Sequence, residues 1–144
     1  MNSSWNGEPK PRVNEPIASV LDASAVLAAL FEEPGAERVV RALERGAAMS
    51  SVNVAEVAAR LSERDWTATA VASVLDEPGI ESIPFDHETA LLSGAYRQRT
   101  RHLGLGLGDR ACLATASRLG LPALTADRKW ADVSIADVMV VLIR

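Results

Sequence analysis

The sequence predicts a three-layer α/β/α domain built on a mostly parallel sheet of about five strands. Short apolar segments alternate with amphipathic stretches, so each strand is followed by a helix that can carry the chain back to a parallel neighbour. Those strand segments are apolar rather than alternating, as strands covered by helices on both faces must be. At 144 residues, with 48% hydrophobic and 24% charged residues, the chain has the size and composition of one globular domain with a real core.

The elements follow in order. Residues 1–16 carry three prolines with Ser, Asn and Gly and no periodicity, and are expected to form a flexible arm ahead of a domain over 17–144. Ile17 to Leu21 reads as a buried strand ending at Asp22, and Ser24 to Glu33 as a helix stopped by Pro34 and Gly35. Ala36 to Arg45 forms a second helix with Gly46 at its exit, and Ala47 to Ser51 a weak strand. Val54, Val57, Ala58 and Leu61 recur at helical spacing within Asn53 to Arg64, and Thr67 to Asp76 continues as another helix. Ile80 to Phe85 is the third strand. A helix from Asp86 to Arg99, a loop with Gly104, Gly106 and Gly108, and a helix from Asp109 to Leu119 follow. Pro122 to Ala126 and Val138 to Ile143 complete the sheet.

Charge and composition narrow the function. Fifteen basic against nineteen acidic residues give a net charge of −4, so the chain does not grip nucleic acid by bulk charge and any such contact is local. The single cysteine, Cys112, excludes an internal disulfide and a cysteine metal cluster. No stretch approaches the about 20 apolar residues of a membrane span, and no signal peptide is evident, so a cytoplasmic protein is expected.

Four acids fall where open α/β sheets build their sites, beyond the carboxyl ends of the strands. Asp22 follows the first strand, Asp127 follows the fourth, Asp109 opens the helix after the glycine loop, and Glu56 sits in the first turn of the helix after the second strand. Converging carboxylates repel unless a cation lies among them, and hard oxygen donors without His or Cys suit Mg²⁺ or Mn²⁺. Such a site fits metal-assisted phosphodiester hydrolysis. Each acid also has a structural reading: Glu56 as capping-box partner of Asn53 or ion-pair partner of Arg60, Asp109 as an N-cap, and Asp127 as a turn residue. Asp22, between an apolar strand and an apolar helix, has none that is cheap.

The stretches Val20-Leu-Asp-Ala-Ser-Ala25, Asn53-Val-Ala-Glu-Val57, Leu105-Gly-Leu-Gly-Asp-Arg-Ala-Cys-Leu-Ala-Thr-Ala116 and Leu124-Thr-Ala-Asp-Arg-Lys-Trp130 resemble, in order and spacing, the successive signatures of PIN-domain ribonucleases, in particular VapC-type toxins of toxin–antitoxin pairs. The resemblance runs over about residues 17–144. It implies a PIN-like fold, catalysis and Mg²⁺ or Mn²⁺ binding by Asp22, Glu56, Asp109 and Asp127, and auxiliary polar roles for Ser24 and Thr125. It further implies an endoribonuclease that cuts tRNA or rRNA to a 5′-phosphate and a 3′-hydroxyl, forms a homodimer and is inhibited by a small cognate antitoxin. The arm of residues 1–16 departs from that pattern, since such toxins begin almost at the first strand.

Around this constellation, Arg97, Arg99, Arg101, His102 and Arg110 gather near the glycine loop, and Arg128 and Lys129 flank Asp127. Apart from His102, these are candidate RNA-binding residues, weighed against basic side chains at exposed helix ends. His87 and His102 lack metal-ligand spacing and read as surface residues; Cys112, Trp66 and Trp130 read as packing residues. A haloacid-dehalogenase-type phosphatase would need an acid where Ser24 stands, and a receiver domain would need adjacent acids after the first strand. An RNA-processing nuclease that is not a toxin and an inactive interaction module of the same fold remain as alternatives.

Overall fold

In the computed structural model, which describes residues 16–76 and 79–144, the apolar segments pair into one five-stranded sheet, parallel throughout. Its strands are β1 (Ser19–Leu21), β2 (Ala47–Ser50), β3 (Ile80–Ile83), β4 (Ala123–Thr125) and β5 (Val140–Leu142), in the order β3-β2-β1-β4-β5. Among the described residues seven α-helices flank them: α1 (Ala23–Leu30), α2 (Ala36–Arg45), α3 (Ser51–Glu63), α4 (Ala68–Leu75), α5 (His87–Ala95), α6 (Arg97–Thr100) and α7 (Leu107–Leu119). Except for Pro16, the expected arm lies outside the described residues.

The absence of polar alternation in the strands has its cause in two buried faces. Successive residues of a strand point to opposite sides. Leu21, Ala47, Met49 and Leu124 accordingly pack into one core with α1 to α4, and Val20, Ala48 and Ala123 into a second with Leu105, Leu113 and Trp130. Trp130 and Cys112 are fully buried in that second core, and Trp66 packs against the first, as packing residues should.

Several boundaries differ from the sequence expectation for local reasons. α1 ends at Leu30, ahead of the Pro34-Gly35 stop, because Glu32 already turns left-handed with φ 53°. The expected helix from Asp86 to Arg99 is two helices, α5 and α6, meeting at the buried Tyr96, whose carbonyl accepts from the Thr100 hydroxyl. α3 starts at Ser51 with Ser50 as its cap, so Asn53 is no cap and Glu56 lies in the second turn rather than the first. α7 starts at Leu107 after Gly106, so Asp109 is its third residue rather than its cap.

Two close contacts fix the β5 side of the sheet. Gly35, at the start of α2, has φ 93° and stands so near β5 that a Cβ there would lie 2.6 Å from the Ile143 carbonyl oxygen. Met139 O and Ile143 N bond to β4, so the even-numbered residues of β5 turn their backbone outward. Arginines meet one of those outward carbonyls and the main-chain oxygen two residues beyond it: Arg38 Nη1 donates to Leu142 O at 3.0 Å and Arg128 Nη1 to Arg144 O at 3.1 Å.

Candidate active site

The chain order of the strands reverses beside β1: β2 and β3 lie to one side and β4 and β5 to the other. In such a sheet the loops leaving β1 and β4 diverge and open a crevice at their carboxyl ends. Asp22 and Asp127 follow those two ends. Leu21 pairs with Leu124, which brings Asp22 level with Thr125.

Asp22 is only 4% exposed, and its carboxylate is fully engaged. Oδ1 accepts from the Ser24 hydroxyl at 2.7 Å and from the Ala25 N–H at 3.0 Å, the latter capping α1, while Oδ2 accepts from the Thr125 hydroxyl at 2.9 Å. Both hydroxyls, 3.2 Å apart, direct their hydrogens to Asp22 and accept in turn from the segment after β4: Ala126 N–H donates to Ser24 Oγ and Asp127 N–H to Thr125 Oγ1. Ser24 and Thr125 therefore tie the exits of β1 and β4 together through the acid. Even so, burial pushes the Asp22 carboxyl up to about 6, with repulsion from Asp109 adding to it, against the three hydrogen bonds.

The other acids rest on local partners. Asp109 reaches back to the Gly106 N–H at 3.0 Å, satisfying one free donor of the α7 N-terminus. Burial raises its carboxyl, and Asp127 repels it; the Gly106 N–H, Lys129 and the neighbouring Trp130 indole oppose the rise. The indole stands near Asp109, but among the described residues its buried N–H has no hydrogen-bond partner within normal distance. Asp127 accepts from Lys129 N–H at 3.0 Å and lies 3.8 Å from Lys129 Nζ. Glu56 Oε1 accepts from Asn53 Nδ2 at 2.8 Å, and the carboxylate packs directly over Gly108. Among the described residues Glu56 forms no ion pair with Arg60.

The acids share one neighbourhood. Asp22 and Asp109 repel each other, as do Asp109 and Asp127, and burial pushes the Cys112 thiol well up, with the charges of Asp22, Asp109 and Glu56 adding to it. They do not form a closed cage: among the described residues no three His, Cys, Asp or Glu side chains stand close enough to hold one ion. Repelling carboxylates that have a hydroxyl, an N–H or an ammonium nearby settle on those partners. In donor chemistry the set fits Mg²⁺ or Mn²⁺, since every side chain offers hard carboxylate oxygens and the neighbouring Cys112 is buried.

The basic candidates divide. Arg97, Arg99 and Arg101 are exposed on α6 and the turn after it, and Arg97 and Arg101 line a shallow depression with Gly94, Ala95 and Gln98. Arg110 is held by α5 through Ser93 O at 3.2 Å, Arg128 by Arg144 O, and Lys129 by Asp127. His87 and His102 are exposed, as expected. Asn53 and Gly108 were absent from the expected site: the spacing from Asn53 to Glu56 reads equally as a capping box, while a Gly inside a first turn is the signal that points to Gly108.

A parallel α/β/α sheet with acids beyond the adjacent ends of β1 and β4 defines a class, and the PIN domain profile matches residues 19–136. Ribonuclease VapC42 of Mycobacterium tuberculosis is 34% identical over 114 residues, covering 73% of this chain and 87% of the relative, and a VapC ribonuclease of Mycobacterium bovis matches equally. The chain belongs to the PIN-domain family, in its VapC ribonuclease branch. Solved structures agree in fold. The VapBC2 structure from Rickettsia felis, bound to a promoter DNA fragment, superposes with a TM-score of 0.67 at 16% identity over 87% of this chain and 98% of that one. VapC20 of Mycobacterium tuberculosis, a sarcin-ricin-loop-cleaving toxin, does so with 0.66 at 13% identity, over 85% and 99%.

Proposed function

We propose that this chain is the toxin of a toxin–antitoxin pair, a Mg²⁺- or Mn²⁺-dependent endoribonuclease of the cytoplasm. It hydrolyses phosphodiester bonds of tRNA or rRNA, arrests translation and growth, works as a homodimer and is silenced by a small cognate antitoxin. The observation that carries the reading is Asp22: a buried carboxylate at the sheet's switch point, held by Ser24, Ala25 and Thr125 while Asp109 faces it. Burying a charge in that way is costly for folding and is explained by a reaction that needs it.

Asp22, Glu56, Asp109 and Asp127 would hold the ion. A bound Mg²⁺ or Mn²⁺ acidifies water and offsets negative charge at a phosphodiester. The chain's own share is placement. Ser24 and Thr125 fix the Asp22 oxygens, the Gly106 N–H fixes Asp109, and Lys129 sets positive charge beside Asp127, where a phosphate would otherwise meet only acids. Exposed Arg97, Arg99 and Arg101, which hold no hydrogen-bond partner through their side chains among the described residues, can meet the RNA backbone from α6 and its following turn, whereas Arg110 and Arg128 must first leave a main-chain oxygen. The domain spans 17–144. Among the described residues no helix is long and apolar enough to cross a membrane.

The test is cleavage of a susceptible RNA with Mg²⁺ by the parent, Asp22→Asn and Asp86→Asn. Asp86 caps α5 and pairs with Arg118 and Thr89, outside the acid set, so its variant should stay nearly fully active. Asp22→Asn should lose activity by orders of magnitude while remaining folded. A fully active Asp22→Asn would remove the central claim.

A further inference from the structure

Asn53 occupies a position that stability alone would give to an apolar residue. It lies inside α3, two residues into the helix, where Asn is a poor former, and it is 1% exposed among buried Val57 and Leu61. Its amide nitrogen donates twice, to Glu56 Oε1 at 2.8 Å and across the helix interface to Gly108 O at 3.0 Å. Its Oδ1 is buried without a partner among the described residues, which is unfavourable and which an apolar side chain would avoid.

The two donations make sense together. Gly108 has no side chain, and the volume a Cβ would fill is taken by the Glu56 carboxylate, the Cβ position overlapping Oε1, Oε2 and Cδ. Glu56 is otherwise an exposed, three-torsion side chain, free to scatter over many rotamers. Bridged by Asn53 and seated on Gly108, it is confined to one, and Oε2 accepts no hydrogen bond from the described residues.

We propose that Asn53 is a positioning residue that clamps Glu56 into the slot opened by Gly108, presetting that carboxylate and its free oxygen for the divalent ion. The proposal rests on the nuclease reading above for the ion, and on the structure alone for the clamp. Groups behind metal-binding side chains commonly govern affinity by fixing orientation.

The probe is Mn²⁺ on the full chain. Asn53→Leu removes both donors and the unpartnered acceptor at similar volume. Its melting temperature without divalent ions should equal or exceed the parent's, while its Mn²⁺ affinity by electron paramagnetic resonance should fall about 10- to 100-fold. In a Glu56→Ala background the same change should alter affinity by less than about twofold, because its partner is already gone. Unchanged affinity in Asn53→Leu, or losses that simply add, would overturn the proposal. If Asn53→Leu does not fold, nitrogen-15 NMR of the metal-free parent and of Glu56→Ala decides: the Asn53 side-chain amide should shift and exchange faster once Glu56 is removed, and an unmoved resonance would overturn the clamp. A parent that binds no Mn²⁺ and cuts no RNA sinks the nuclease reading instead, and the same NMR comparison then settles the clamp on its own.

Discussion

Asp22 is a residue whose solvation outweighs its hydrogen bonds. Three donors favour its charged form, yet burial holds the carboxyl near 6, above the ordinary 3.8. The native state therefore binds this proton more tightly than the unfolded chain does. Its contribution to stability is present below about pH 4 and is lost as pH rises to about 6, an effect of order 3 kcal/mol at about 1.4 kcal/mol per unit. Asp22→Asn has no such proton. Without divalent ions, the variant should gain on the parent by up to about 3 kcal/mol between pH 4 and 7; calorimetry across that range checks it, and a constant difference would mean that burial does not dominate. At this scale the sequence was informative where an acid follows a strand: Asp22 directly follows β1, and Asp127 stands two residues past the end of β4, which stops at Thr125 rather than at Ala126. Asn53 was not legible, because Asn three residues before Glu also spells a capping box. Only the true start of α3 shows the side chain is inside the helix and bonded across to α7.

At the scale of elements, the turn between α1 and α2 is the tightest fit. Gly35 combines a left-handed φ with the Ile143 carbonyl where a side chain would begin, and Ile143 is tied to β4 through its N–H, so that carbonyl cannot retreat cheaply. Gly35→Ala is expected to cost roughly 2–4 kcal/mol in urea unfolding, and a cost near zero would mean that β5 yields. Strand positions and most helices were readable from periodicity, since apolar runs bounded by Gly, Pro and Asp leave few options. Helix ends were less so. The division of α5 from α6 at Tyr96 and the early start of α7 depend on what the backbone meets in the fold, which a one-dimensional pattern does not record.

For the whole molecule, the reversal of strand order beside β1 opens the crevice at which the acids stand, and the alternation of strands and helices made the parallel sheet legible in advance. The partner was legible only through resemblance, since no residue of this chain spells an antitoxin. With the crevice acidic and the net charge −4, an inhibitor that reaches the site should bring a basic side chain to the acids. Co-expression with the small protein encoded beside this gene should yield a co-purifying complex with suppressed RNA cleavage. Equal activity with and without that product would refute the regulatory reading.

The arginines over β5 have a consequence for crowding. An edge strand with bare carbonyls invites any extended chain to continue the sheet. Here Leu142 O of the strand and Arg144 O just beyond it already hold guanidinium donors, so a strand arriving at this end must first break charge-assisted bonds and meet two positive charges. Self-templated growth of fibrils from this margin is thereby disfavoured, and a molecule that docks here must do so through side chains or bring acids of its own.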